Sequence, residues 1–162
     1  MTAVIADTDI LSTFAKVGRL DLLLALFHKV YIASAVYHEL LQAERVSLTW
    51  VRTVTQVIEP LPLTCDENRQ AEHLFARYPQ LGSGEIESFA RAQSHRLICL
   101  TNDRQAKAVA RALGLSYLDL EEILRLLKRR KMMATEALAE LIDQIELQDH
   151  TRIKAKEQIL SD

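Results

Sequence analysis

Four carboxylates stand where alternating strands and helices would carry them to one end of a sheet. Asp7 directly follows the apolar run Ala3-Val4-Ile5-Ala6, within Asp7-Thr8-Asp9, and Asp103 closes Thr101-Asn102-Asp103 after Leu97-Ile98-Cys99-Leu100. Glu39 lies about one turn into Ala35-Val36-Tyr37-His38-Glu39-Leu40-Leu41, and Glu85 falls in the first turn opened by Gly82-Ser83-Gly84. Open α/β sheets build their sites outside the carboxyl ends of their strands. Each acid also has a plain structural use. Asp and Glu favour N-caps and first helical turns, where they complement the helix dipole for ~0.3–1 kcal/mol, and Glu39 can simply be solvated. The set is more informative than its members. Two carboxylates ~5 Å apart repel by roughly 3 kcal/mol at an effective dielectric near 20, and no Lys or Arg stands inside these four stretches. If the first and fourth apolar runs are neighbours, the acids approach one another, and either their pKa values rise or a cation binds. Hard oxygen donors without His or Cys select Mg²⁺ or Mn²⁺. A carboxylate-held divalent ion suits phosphoryl chemistry, in which water is activated and a leaving oxygen is stabilised. Thr8, Ser83, Thr101 and Asn102 are the polar neighbours able to orient carboxylates or water.

The elements that must position these groups are legible as periodicities. Ala3–Ala6, Val30–Ile32, Leu97–Leu100 and Leu115–Leu118 are short and mostly apolar, which predicts buried parallel strands. Thr53–Ile58 alternates more, so it is expected as a fifth strand nearer an edge, stopped by Pro60 and Pro62. Ile10, Leu11, Phe14 and Val17 recur at helical spacing with Gly18 as the terminating residue. Thr64 and Glu67 have capping-box spacing before a helix expected to bury Ala71, Leu74 and Phe75. Ser83 is expected to cap the helix carrying Ile86, Phe89 and Ala90. Asn102 with Gln105 makes a weaker box before Ala106, Val109, Ala110 and Leu113, ended by Gly114, and Asp119 with Glu122 opens another helix. Strands alternating with helices imply right-handed crossovers and an α/β fold, a three-layer α/β/α sandwich around a mostly parallel sheet. Residues 133–160 are helical in pattern. Leu138, Leu141, Ile142 and Ile145 form one stripe, and Ile153, Ile159 and Leu160 a shorter one. Such a stripe completes a core more often than it receives a partner helix.

Composition bounds the rest. The chain has 162 residues with 20 Lys+Arg against 22 Asp+Glu, a net charge of −2, so no global field draws it to phosphates. Apolar residues at 49% and charged residues at 26% fit a folded domain and exclude general disorder. One domain over residues 1–162 is expected, with a core of about 3–125 and a helical extension of about 133–160. Only 4 Gly and 3 Pro argue against a turn-rich all-β fold. Cys65 and Cys99 form no paired motif, and His28, His38, His73, His95 and His150 show no zinc spacing. Two free thiols in a reducing compartment are expected. No cleavable leader pattern and no apolar run of ~20 residues occurs, so the reading is a cytoplasmic protein without membrane contact.

The four acid-bearing stretches resemble those of PIN-domain ribonucleases, especially the VapC-like toxins of bacterial toxin–antitoxin pairs. The matching segments are Val4–Asp9, Val36–Leu40, Leu81–Glu85 and Leu100–Asp103, in family order and spread over residues 3–125. The resemblance implies that Asp7, Glu39, Glu85 and Asp103 hold Mg²⁺ or Mn²⁺. It also implies cleavage of single-stranded RNA by an activated water, inhibition by an antitoxin protein, and homodimers. Asp9 stands where the family usually has Asn or Ser, and is either an extra ligand or a cap. Asn102 stands where some relatives carry a second Asp. Glu87 competes with Glu85, but the Gly84-Glu85 pair fits the pattern better. Arg104 is the basic residue best placed beside an RNA substrate; the Lys128–Lys131 run reads as a solvated helix end. Two other readings exist. One is a haloacid dehalogenase-type phosphatase with Asp7 as nucleophile and Asp9 as acid/base, which leaves Glu39 without a role. The other is a catalytically inactive PIN-like RNA-binding or interaction module, which gains nothing from four mutually repelling carboxylates.

Overall fold

The first apolar run becomes the centre of the sheet because it is buried on both faces: Val4, Ile5 and Ala6 are each 1% exposed or less. In a computed structural model that describes residues 2–45 and 49–161, β1 (Ala3–Ala6) lies between β2 (Lys29–Ala33) and β4 (Ile98–Leu100). The edges are β3 (Pro60–Leu61) and β5 (Tyr117–Leu118), giving an all-parallel order β3-β2-β1-β4-β5. Ile5 is in register with Tyr31 on one side and Cys99 on the other. The chain therefore winds outward through β2 and β3, then returns across β1 to β4 and β5. The reversal falls between β1 and β4, the place where such sheets open a crevice. The three-layer α/β/α architecture is as the alternation predicts.

Two helices, α1 (Thr8–Lys16) and α2 (Leu20–Leu26), follow β1; α3 (Ser34–Glu44) follows β2. Gly18 and Gly114 sit just past helix ends with φ of +67° and +68°, as their positions suggested. The expected strand at 53–58 is instead part of a helix, α4 (Thr49–Val57). The alternation there is incidental to a longer spacing: Val51, Val54 and Ile58 recur along one side and are each 2% exposed or less. Packing of that side overrides the β-preference of Val and Thr. The Thr55 hydroxyl donates back to the carbonyls of Val51 and Arg52, both at 3.3 Å. The strand forms after it, at Pro60–Leu61, where an edge position tolerates a residue without an N–H.

Next come α5 (Cys65–Arg77) and α6 (Ser83–His95). Thr64 and Glu67 form the expected capping box and Leu74 is buried, but Phe75 is 52% exposed rather than part of the core. Gly82, not Ser83, is the N-cap of α6, and Asp103, not Asn102, caps α7 (Arg104–Ala112). Asp119 and Glu122 form the box that opens α8 (Leu120–Arg129).

The C-terminal helices α9 (Thr135–Gln148) and α10 (Lys156–Ser161) complete the core. Leu138, Leu141, Ile142 and Ile145 are each 2% exposed or less, and Ile159 is fully buried. Asp149, at the end of α9, accepts from the Thr13 hydroxyl (2.6 Å) and the Lys16 ammonium (2.9 Å), which fastens the tail to α1. The basic run is partly engaged: Lys128 bonds the Thr135 hydroxyl, and Arg130 donates to the Leu26 carbonyl at 3.0 Å. Among the described residues no helix is long and apolar enough to cross a membrane. Truncation after Arg130 removes six buried aliphatics, Leu138, Leu141, Ile142, Ile145, Ile153 and Ile159, each worth ~1.5–3 kcal/mol, a sum comparable to the ~5–15 kcal/mol that holds a domain folded. The shortened chain is expected to lose its cooperative thermal transition by circular dichroism. A cooperative transition at the full-length temperature would show that the tail is dispensable.

Candidate active site

The site begins with the seam between β1 and β4. The Asp7 N–H donates to the Leu100 carbonyl at 3.0 Å, which carries the pairing past the end of β1 and sets Asp7 beside the loop Thr101–Asp103. Thr101 is 3% exposed and its N–H is held by the Leu118 carbonyl. Its hydroxyl accepts from the Asp103 N–H at 3.2 Å and bonds the Asp7 carboxyl, so one side chain ties the two acids to a common frame.

Three of the acids are indeed helix caps. Asp7 Oδ1 accepts from the Ile10 N–H (3.0 Å), Asp103 Oδ1 from the Ala106 N–H (2.7 Å), and Glu85 Oε2 from the Gly82 N–H (2.9 Å). Capping and chemistry do not exclude each other here. A cap engages one carboxylate oxygen and fixes the rotamer, and the second oxygen keeps its lone pairs. Glu39 is exposed on α3 and its Oε2 accepts from the Thr8 hydroxyl at 3.2 Å. Glu39 reaches Glu85 because α3 and α6 touch at Gly84. A Cβ at that position would lie 2.8 Å from Val36 Cγ2, closer than carbon atoms pack, and 3.8 Å from Glu39 Oε1.

Asp7, Thr8, Asp9, Val36, Glu39, Gly82, Gly84 and Glu85 line one cleft of ≈ 210 Å³. Four of the eight are acids and none is Lys, Arg or His. The consequences are electrostatic. Burial pushes the Asp7 carboxyl up to about 7, against the hydrogen bonds from Thr101 and Ile10, with the charges of Asp9 and Glu85 adding to the rise. Glu85 is also raised, first by burial and then by Asp103, Asp9 and Glu39, while the Gly82 N–H opposes the shift. Part of Asp7 still reaches solvent, which tempers the penalty. Cys99, behind Asp7, is no nucleophile: burial, with some help from Asp7, pushes its thiol up to about 12.

The remaining candidates fall elsewhere. Asp103 is off the cleft lining but close enough to raise Glu85. Ser83 is exposed on a different groove, with Phe75 and Glu87. Glu87 accepts from the Ala35 N–H at 3.0 Å and so caps α3, whose own N-cap is the side-chain-poor Ala33. Asn102 and Arg104 are exposed beside Asp103. A residue that the motifs did not indicate also lies under the site: Ser88, one turn after Glu85 on α6 and 5% exposed. The helical i,i+3 spacing from Glu85 was its only signal in the sequence.

The donor set suits a hard divalent cation in kind: oxygen ligands, several negative charges, no cationic side chain in the lining. Among the described residues the acids rim the cleft without three of them meeting at one point. A protein-family model described as a PIN domain matches residues 3–160, which takes in the C-terminal helices as well as the four motifs. No curated protein matches the chain.

A carboxyl whose folded pKa is raised gives a definite sign for stability. The fold disfavours ionised Asp7, so stability falls as pH rises from about 4 toward 7 in metal-free buffer. Asp7→Asn keeps a capping oxygen and removes the charge. It should change little near pH 4 and stabilise the chain by roughly 2–4 kcal/mol at pH 8, read by urea denaturation in EDTA. A less stable variant at pH 8 would contradict this reading of Asp7.

Proposed function

The chain belongs to the PIN-domain family, whose members are typically nucleases, and from that premise we propose that it is a Mg²⁺- or Mn²⁺-dependent endoribonuclease acting on single-stranded RNA. The observation that carries the proposal is the cleft itself: four acids in its lining, two of them with raised pKa values, and no cationic side chain to balance them. Asp7, Glu39, Glu85 and Asp103 would hold the ion, with Asp9 adding negative charge at the rim. A bound divalent ion supplies Lewis acidity toward a phosphate and lowers the pKa of a water.

The chain's own groups do the rest. Thr101 and the Ile10 N–H hold Asp7 and the Gly82 N–H holds Glu85, so these two carboxylates are oriented before a substrate arrives, while exposed Glu39, bonded by the Thr8 hydroxyl, would move to join them. Arg104, exposed on the first turn of α7 next to Asp103, would meet a phosphate of the RNA. No histidine lines the cleft, so proton abstraction from a ribose 2′-OH by an imidazole has no agent there, and hydrolysis by water is the route the side chains favour. A net charge of −2 suits an enzyme that grips few phosphates. The motif resemblance extends the proposal: a cytoplasmic toxin, a homodimer, and restraint by an antitoxin partner. The phosphatase reading gains no support, since Asp7 is half-buried, tied down as a cap, and has a raised pKa that a nucleophilic carboxylate does not need.

The test is cleavage of a labelled single-stranded RNA followed on a gel. Cleavage is expected with Mn²⁺ and not in EDTA, and Asp7→Asn, Glu85→Gln or Asp103→Asn should each slow it by more than about a hundredfold. Persistent cleavage in EDTA by a variant with all four acids neutralised would overturn the proposal.

A further inference from the structure

Beside the acidic cleft, and sharing Asp7 and Glu85 with it, lies a small crevice bounded by Asp7, Glu85, Ser88, Thr101, Phe89 and Cys99 among others, with room of ≈ 10 Å³, about that of one water. Ser88 lines it, and its buried hydroxyl has no hydrogen-bond partner, although the residue is only 5% exposed. Helical serines often bond the carbonyl one turn back, as Ser94 does on the same helix at 3.2 Å from the Ala90 oxygen. Ser88 does not. A buried hydroxyl is costly to leave unpaired, and a trapped water needs two to four polar partners. The crevice offers them in the Ser88 hydroxyl, the Asp7 and Glu85 carboxyls, and the Thr101 hydroxyl.

We propose that Ser88 is a positioning residue: with Thr101 it holds one buried water against the back of Asp7 and thereby fixes the carboxylate oxygen that faces the cleft. Ile5, Phe89 and Leu100 supply the apolar part of the lining, so the polar partners set where the water sits. Outer partners of ligating carboxylates set how well those carboxylates hold a cation, and their loss typically lowers affinity 10–100-fold. The effect on cation binding rests on the functional reading above; the water does not.

Ser88→Ala separates the possibilities. Ala is the better helix former, so the variant should fold with a melting temperature close to that of the parent. A high-resolution crystal structure of the metal-free parent should show an ordered water bonded to Ser88 Oγ and Asp7, absent in Ser88→Ala. Mn²⁺ affinity, measured by electron paramagnetic resonance, should fall by roughly tenfold or more. Empty density, or a Ser88 hydroxyl turned onto the Gly84 carbonyl, would overturn the water. Unchanged Mn²⁺ affinity in Ser88→Ala, with binding abolished in Asp7→Asn, would overturn the positioning role and leave the metal reading intact. A parent protein that takes up no Mn²⁺ would sink the functional reading together with the positioning role, while the density still judges the water.

Discussion

Backbone N–H groups at the starts of three helices, together with the Thr101 hydroxyl, hold acidic side chains at the seam between β1 and β4, and there burial and mutual repulsion favour the neutral forms of Asp7 and Glu85. Each helix start offers a partial positive charge that stabilises one carboxylate. It does not balance several of them together. The fold thus fixes negative groups in place and leaves their charge uncompensated, and the rest of the structure serves that constraint. α9 grips α1 through Asp149, Thr13 and Lys16, steadying the helix that Asp7 caps. Gly84 lets α3 and α6 meet, so that Glu39 and Glu85 border one space.

The chain treats another buried carboxylate quite differently. Glu67 is 3% exposed, and burial alone would raise it. Instead the Thr64 cap and the Arg91 guanidinium outweigh burial and hold it below the usual carboxylate range, with His95 Nε2 a further 3.1 Å away. Lys16 with Asp149 and Lys107 with Asp119 repeat that solution on the flanks. Glu67, Asp149 and Asp119 each receive a basic partner, whereas the lining of the cleft holds no Lys, Arg or His. Structural ion pairs lock α5 to α6 and the tail to α1.

Much of this was legible before any coordinates. Continuous apolar runs specify parallel strands because both faces are covered, and acids directly after such runs must fall at one end of the sheet. Capping boxes at Thr64 and Asp119 were readable because the spacing is local. Thr53–Ile58 misled because six residues of alternation are too short to outweigh a helical spacing that begins earlier and packs on α1 and α3. The caps at Gly82 and Asp103 lie one residue from the expected positions, since Ser83 has a higher intrinsic preference than Gly82 and Asn102 one equal to that of Asp103, and only the observed hydrogen bonds decide. Ser88 and the Gly84–Val36 contact depend on which helix faces meet, a tertiary fact that spacing cannot carry.

The most direct measurement is the anomalous diffraction of manganese in crystals soaked at saturating Mn²⁺. A peak in the cleft bordered by Asp7, Glu39 and Glu85, with Glu39 drawn inward to meet it, is the expected result. A fully soaked crystal with no manganese in that cleft, its carboxylates unmoved and protonated or bridged by water, would contradict the claim that these acids are held for a divalent ion.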